Sequence, residues 1–120
     1  MVNERRRRRR VPLDIFLNKI AQGVRHMVRA HDISEQGIFV RRLIEPEILG
    51  QVCDLEFQLP GQPDTIWARA RIIRDIEGGA FALRFIAMSD PHRELIRNFV
   101  TMGQDWLAEL DNASTPVALR

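Results

Sequence analysis

Thr65-Ile66-Trp67-Ala68-Arg69-Ala70-Arg71-Ile72-Ile73-Arg74, then Glu77-Gly78-Gly79, then Ala80-Phe81-Ala82-Leu83-Arg84-Phe85-Ile86 is the stretch that decides the fold. Ile66, Ala68, Ala70 and Ile72 recur at every second position, with Trp67, Arg69, Arg71 and Ile73 between them. A period of two belongs to a strand with unlike faces. The glycine pair turns the chain and the next apolar run pairs back as a hairpin. The rest of the chain extends this pattern on both sides. Gln51 to Leu59 alternates, bounded by Glu45-Pro46 and Leu49-Gly50 before it and by Pro60-Gly61-Gln62-Pro63-Asp64 after it. Leu13, Ile15 and Leu17 alternate with Asp14, Phe16 and Asn18, which predicts one strand. After a turn at Ala21-Gln22-Gly23, Val24, His26, Val28 and Ala30 form a second, and Ile38-Phe39-Val40 a short third.

The period changes to helical near the C-terminus. Leu95, Ile96, Phe99, Val100, Trp106, Leu107 and Leu110 recur at three- and four-residue steps. Asp90 is read as the cap and Pro91 as the first helical residue, with Gly103 able to break or kink the helix. Short strands, frequent turns and one terminal helix predict a mainly β chain, an antiparallel barrel or sandwich with a C-terminal helix. Trp67 and Trp106 are read as core or helix-packing residues.

At 120 residues, with 45% apolar and 28% charged side chains, the chain has the size and composition of one globular domain. A single cysteine, Cys53, excludes an internal disulfide and a cysteine metal site; among Val52 and Leu55 it reads as a small buried hydrophobe. The net charge of +2 conceals an asymmetry. Six of the 18 basic residues are Arg5 to Arg10, so the remaining 12 face 16 acidic residues, a balance of −4. Basic character is concentrated at one end, which argues for one local anion site and against a broad nucleic-acid face. Asp14, Asn18, Lys19 and Gln22 interrupt the stretch after the arginines, so no signal-peptide core or membrane span follows. The expectation is a cytoplasmic protein without membrane insertion.

Two motifs stand out. Arg5 to Arg10 contains Arg6-x-x-x-Arg10, and Arg5-x-x-x-Arg9 also fits the spacing. Asp32-Ile33-Ser34-Glu35-Gln36-Gly37 is Asp-x-Ser-x-x-Gly. In an extended backbone Asp32 and Ser34, two apart, share a face, and Gly37 turns the chain without a Cβ in the way. Arginine forks match phosphate oxygens and the O6/N7 edge of guanine, and a carboxylate accepts from the guanine N1 and N2 edge. His26, His31 and His92 lack metal-ligand spacing, and His31, Asp32 and Ser34 form no triad, because adjacent strand residues face opposite ways. No nucleophile elbow or glycine-rich phosphate loop is present. The chain reads as a binding protein, not an enzyme, with no cofactor.

The paired motifs, in this order over roughly Glu4 to Phe99, resemble the PilZ domain family of bacterial cyclic di-GMP receptors. The resemblance implies a small, roughly six-stranded antiparallel barrel with a C-terminal helix. Residues 1–10 would be a mobile arginine arm, 11–111 the barrel and helix, and 112–120 a disordered tail. It implies that Arg6 and Arg10 bind cyclic di-GMP with Asp32, Ser34 and Gly37, Gly37 letting a base pack on the backbone. Arg5 and Arg9 are further cations or the alternative register, and Arg74 is a further contact. The ligand would order the arm onto the barrel, and the new surface would engage an unidentified effector protein in motility, adhesion, exopolysaccharide or virulence control. One alternative is a degenerate PilZ interaction module without nucleotide. The other is a nucleic-acid binder using the arm, which predicts a steep salt dependence and which the acidic remainder opposes.

Overall fold

The computed structural model describes residues 10–42, 49–76 and 79–103. Seven antiparallel strand segments run in chain order: β1 (Val11–Pro12), β2 (Phe16–Ala21), β3 (Val24–Ile33), β4 (Gly37–Arg42), β5 (Val52–Gln58), β6 (Thr65–Ile76) and β7 (Ala80–Met88). Six of them close into a barrel of order β3-β2-β5-β6-β7-β4, with β4 returning to β3. The extra segment, β1, lies beside the far end of β3, Val11 opposite Ile33. Closure leaves the six barrel strands without a free edge.

The strand expected through Leu13 to Leu17 is broken. Pro12 has no N–H to give a ladder, and residues 13–15 leave the regular pairing. The break stays attached to β3, because Leu13 N–H donates to the His31 carbonyl (3.0 Å) and Ala30 N–H to the Ile15 carbonyl (2.8 Å). Leu13 and Leu17 are still buried.

Alternation fills the interior. Ile66, Ala68, Ala70 and Ile72 of β6 are buried, as are Cys53, Leu55 and Phe57 of β5, Ile38 and Val40 of β4, and Phe81 and Leu83 of β7. Trp67, read from the sequence as a packing residue, is 45% exposed: its position on β6 puts it on the outer face beside Arg69. Trp106 lies outside the described residues.

One end of the barrel is covered by α1, described over residues 90–103. Its cap is Ser89, one residue earlier than expected. The Ser89 hydroxyl accepts from His92 N–H (3.4 Å), and its carbonyl accepts the first helical bond from Arg93 N–H (3.0 Å). Pro91 then lies within the first turn, where a missing N–H costs nothing. Ile96 and Val100, four apart, enter the core, with Leu95 and Phe99 packed beside them. Gly103 does not break α1 within the described span. It lets the helix approach Val11, whose Cγ1 would lie 3.0 Å from an added Cβ.

Candidate functional site

The site lies where the barrel's alternation is interrupted. Between β3 and β4, Ala30 pairs with Val40 and Asp32 with Phe39, so His31 is an extra residue. Between β6 and β7, Ile72 pairs with Leu83 and Arg74 with Ala82, so Ile73 is extra. A bulge shifts the parity of everything after it. Strict alternation would send Asp32 inward after Ala30, and Arg74 inward after Ile72. With the bulges, buried Ile33 takes the inward position and Arg74 is exposed. The pairings Asp32↔Phe39, Phe39↔Ala82 and Ala82↔Arg74 form one row across four strands.

Arg10, directly before β1, lies over this row. Its Nε donates to Asp32 Oδ1, and its guanidinium sits 4.0 Å from the centre of the Phe39 ring. Arg74 approaches the same ring at 5.9 Å. Two guanidinium groups therefore approach one aromatic ring, the nearer contact being roughly a 0.5–1 kcal/mol interaction for a partly exposed pair. Ala82, in the row between Phe39 and Arg74, is small enough to leave the space beside them open. The result is a cleft of about 550 Å³. Among the described residues it is lined by five arginines, Arg10, Arg74, Arg84, Arg93 and Arg97, and by one carboxylate, Glu35. The excess of positive charge in such a cleft favours an anion.

The Ser34–Gly37 turn forms the floor. Asp32 and Ser34 do not share a face as expected: β3 ends at Ile33, so alternation does not reach Ser34. Ser34 is 1% exposed. Its Oγ accepts from the N–H groups of Gln36 (3.2 Å) and Gly37 (3.3 Å), and its N–H donates to the Gly37 carbonyl (2.9 Å). This is a local Ser turn holding the loop shape. Gly37 pairs with Arg84 of β7, and a Cβ there would overlap the Leu83 carbonyl oxygen. Its first duty is thus strand approach. Phe85 N–H to the Gln36 carbonyl (2.8 Å) fixes the other side of the turn.

Of the residues singled out in the sequence, Arg10, Ser34, Gly37 and Arg74 line the cleft, and Asp32 holds Arg10 from behind. Arg5, Arg6 and Arg9 lie outside the described residues. Phe39, Arg84, Arg93, Arg97 and Glu35 escaped notice. Phe39 carried a signal, being the outward residue between inward Ile38 and Val40, and Arg93 and Arg97 are one helical turn apart. Arg84 is found only through its pairing with Gly37. Among the described residues, no group of three or more His, Cys, Asp or Glu is placed to hold a metal ion, and no helix is long and apolar enough to cross a membrane.

A search of curated proteins by sequence finds no match. Solved structures share the fold. The PilZ domain of CeSA from a cellulose-synthesizing bacterium has a TM-score of 0.62 at 17% identity, over 78% of this chain and 95% of that one. The Bacillus subtilis inhibitor of motility MotI/DgrA has a TM-score of 0.66 at 20% identity, over 82% of this chain and 51% of its own. The PilZ domain of Escherichia coli YcgR, solved with cyclic di-GMP, has a TM-score of 0.66 at 16% identity, over 90% and 98%. The model of the PilZ domain matches residues 4–102, a span that takes in both motifs, the closed barrel and nearly all of the described helix. The chain belongs to the PilZ domain family.

Proposed function

We propose that this protein is a cyclic di-GMP receptor that passes the signal to a protein partner. The observation that carries the reading is Arg10, seated on Phe39 and held by Asp32 at the mouth of a cleft with four further arginines. A guanidinium fixed in this way loses little side-chain freedom when it meets a phosphate or a guanine edge. Arg74 and Arg84 offer charge to a phosphate from the barrel side, and the Ser34–Gly37 turn offers backbone to a flat base. Family membership and the likeness to the YcgR domain, itself solved with cyclic di-GMP, support the same ligand. Arg6, or Arg5 and Arg9 in the other register, would close over the bound nucleotide from the N-terminal arm. The output would lie in motility, adhesion, exopolysaccharide or virulence control, in the cytoplasm, with no catalytic step and no cofactor.

The test is calorimetric titration with cyclic di-GMP beside Arg10→Ala at the same salt. Binding by the native chain and a loss of about tenfold or more in the variant is expected, since charge-assisted hydrogen bonds are worth roughly 1.5–3 kcal/mol. No heat in either protein would overturn the reading and favour an interaction module. A salt slope of many phosphate contacts with DNA or RNA would favour a nucleic-acid partner.

A further inference from the structure

Among the described residues one carboxylate, Glu35, lines the cleft beside its arginines. Glu35 stands at the centre of the Ser34–Gly37 turn, whose backbone is fixed by the Ser34 hydroxyl and by Phe85. From there Glu35 Oε1 accepts from Arg97 Nε of α1 at 3.2 Å. Arg97 is held from the other side by Glu94, one turn earlier on the same helix, at 2.8 Å. Arg97 and Glu35 both line the cleft, whereas Glu94 does not. Both partners are partly exposed, Glu35 at 37% and Arg97 at 48%, so the pair is weak enough to exchange. An anion entering the cleft meets Arg97 already neutralised by the turn and meets a like charge beside it.

We infer that Glu35 is a competitor built into the site, holding Arg97 until a ligand phosphate takes its place and so raising the concentration at which the cleft fills. The inference rests on the cleft being the cyclic di-GMP site. Because Glu94 also holds Arg97, the guanidinium stays at the cleft wall when Glu35 lets go. The exchange needs no unpaired intermediate, and it couples occupancy to the contact between the turn and α1.

The experiment is calorimetric titration with cyclic di-GMP of the native chain, Glu35→Gln, Glu94→Gln, Arg97→Gln and the Glu35→Gln/Arg97→Gln pair, each checked for folding by thermal melting. Glu35→Gln should bind about three- to tenfold tighter, an effect in the range of a partly exposed ion pair plus relief of like-charge repulsion, and the gain should shrink at high salt. Glu94→Gln should change affinity less, and Arg97→Gln should weaken binding. In the Arg97→Gln background the Glu35 change should lose most of its gain, since the two act through one contact. Unchanged or weaker binding by Glu35→Gln, with the native chain binding, would overturn the inference alone and make Glu35 a bystander or an acceptor for a guanine edge. An equal gain with and without Arg97 would also overturn it, leaving only a diffuse charge effect. No heat from any of the five proteins would overturn the receptor reading itself, and this inference with it.

Discussion

The β5–β6 hairpin and the β3–β4–β7–β6 end of the same barrel use one alternating pattern and arrive at different surfaces. Between β5 and β6, seven consecutive pairs from Val52↔Arg71 to Gln58↔Thr65 run without a register shift. Cys53↔Ala70, Leu55↔Ala68 and Phe57↔Ile66 all face inward and are buried. One outward pair is an ion pair, Asp54 accepting from Arg69 at 3.0 Å, while Glu56 accepts from Arg25 of β3 and Arg71 donates to the Gly50 carbonyl. At the other end, bulges at His31 and Ile73 break the pattern, and the outward row that results collects Asp32, Phe39 and Arg74 under Arg10. On the regular side Asp54, Glu56, Arg69 and Arg71 are all held by neighbouring protein groups. Irregular pairing turns Arg74 outward beside Arg10, into a cleft where, among the described residues, arginines outnumber the carboxylates.

The sharpest way to break this contrast is Gly37→Ala. The added Cβ overlaps the Leu83 backbone, which no side-chain rotation relieves, so β4 and β7 must separate. Urea unfolding should show a loss at or above ~3 kcal/mol, the upper range for overpacking. An unchanged midpoint would mean that the bulged end tolerates slack.

Arg74 and Arg69 lie on one strand, both outward, one in each region. Arg74→Ala should weaken cyclic di-GMP binding about tenfold, the effect of one charge-assisted contact. Arg69→Ala, paired to Asp54 on the regular side, should leave affinity unchanged. Equal losses would dissolve the distinction between the two regions. Phe39→Leu, by the same titration, keeps an apolar residue in the row and removes the aromatic face under Arg10 and Arg74; a loss of about two- to fivefold is expected from cation–π contacts of roughly 0.5–1 kcal/mol.

The smallest effect concerns Asp14, where the Arg29 hydrogen bond holds the carboxyl below the ordinary aspartate range. Its stabilisation is complete above the unfolded aspartate pKa and is lost as the pH falls through the lowered folded value. Melting temperature against pH should therefore lose slightly less in Asp14→Asn than in the native chain as acid is added. The pair is exposed, so salt should erase the difference.

The strands of β5, β6 and β7 and the terminal helix were legible because each rests on local chemistry. A two-residue period fixes which side chains share a core, and Ile96 and Val100 declare a helical face by spacing alone. Arg10 and Asp32 were legible for the same reason, as a charge beside a strand and an acid before a turn. Ser34 lines the cleft from the turn and not from a strand face, because a strand's end is set by pairing with its neighbours and not by its own residues. The bulges at His31 and Ile73 have no signature in sequence, since an extra residue is extra only relative to a partner strand. They decide that Asp32 and Arg74 face outward and so meet the row of Phe39, while the unbroken β4–β7 register sets Arg84 opposite Gly37. Glu35 meets Arg97 across 62 positions for a further reason: helix docking is governed by how Ile96 and Val100 fill the barrel end, and that fit exists only once the barrel has closed.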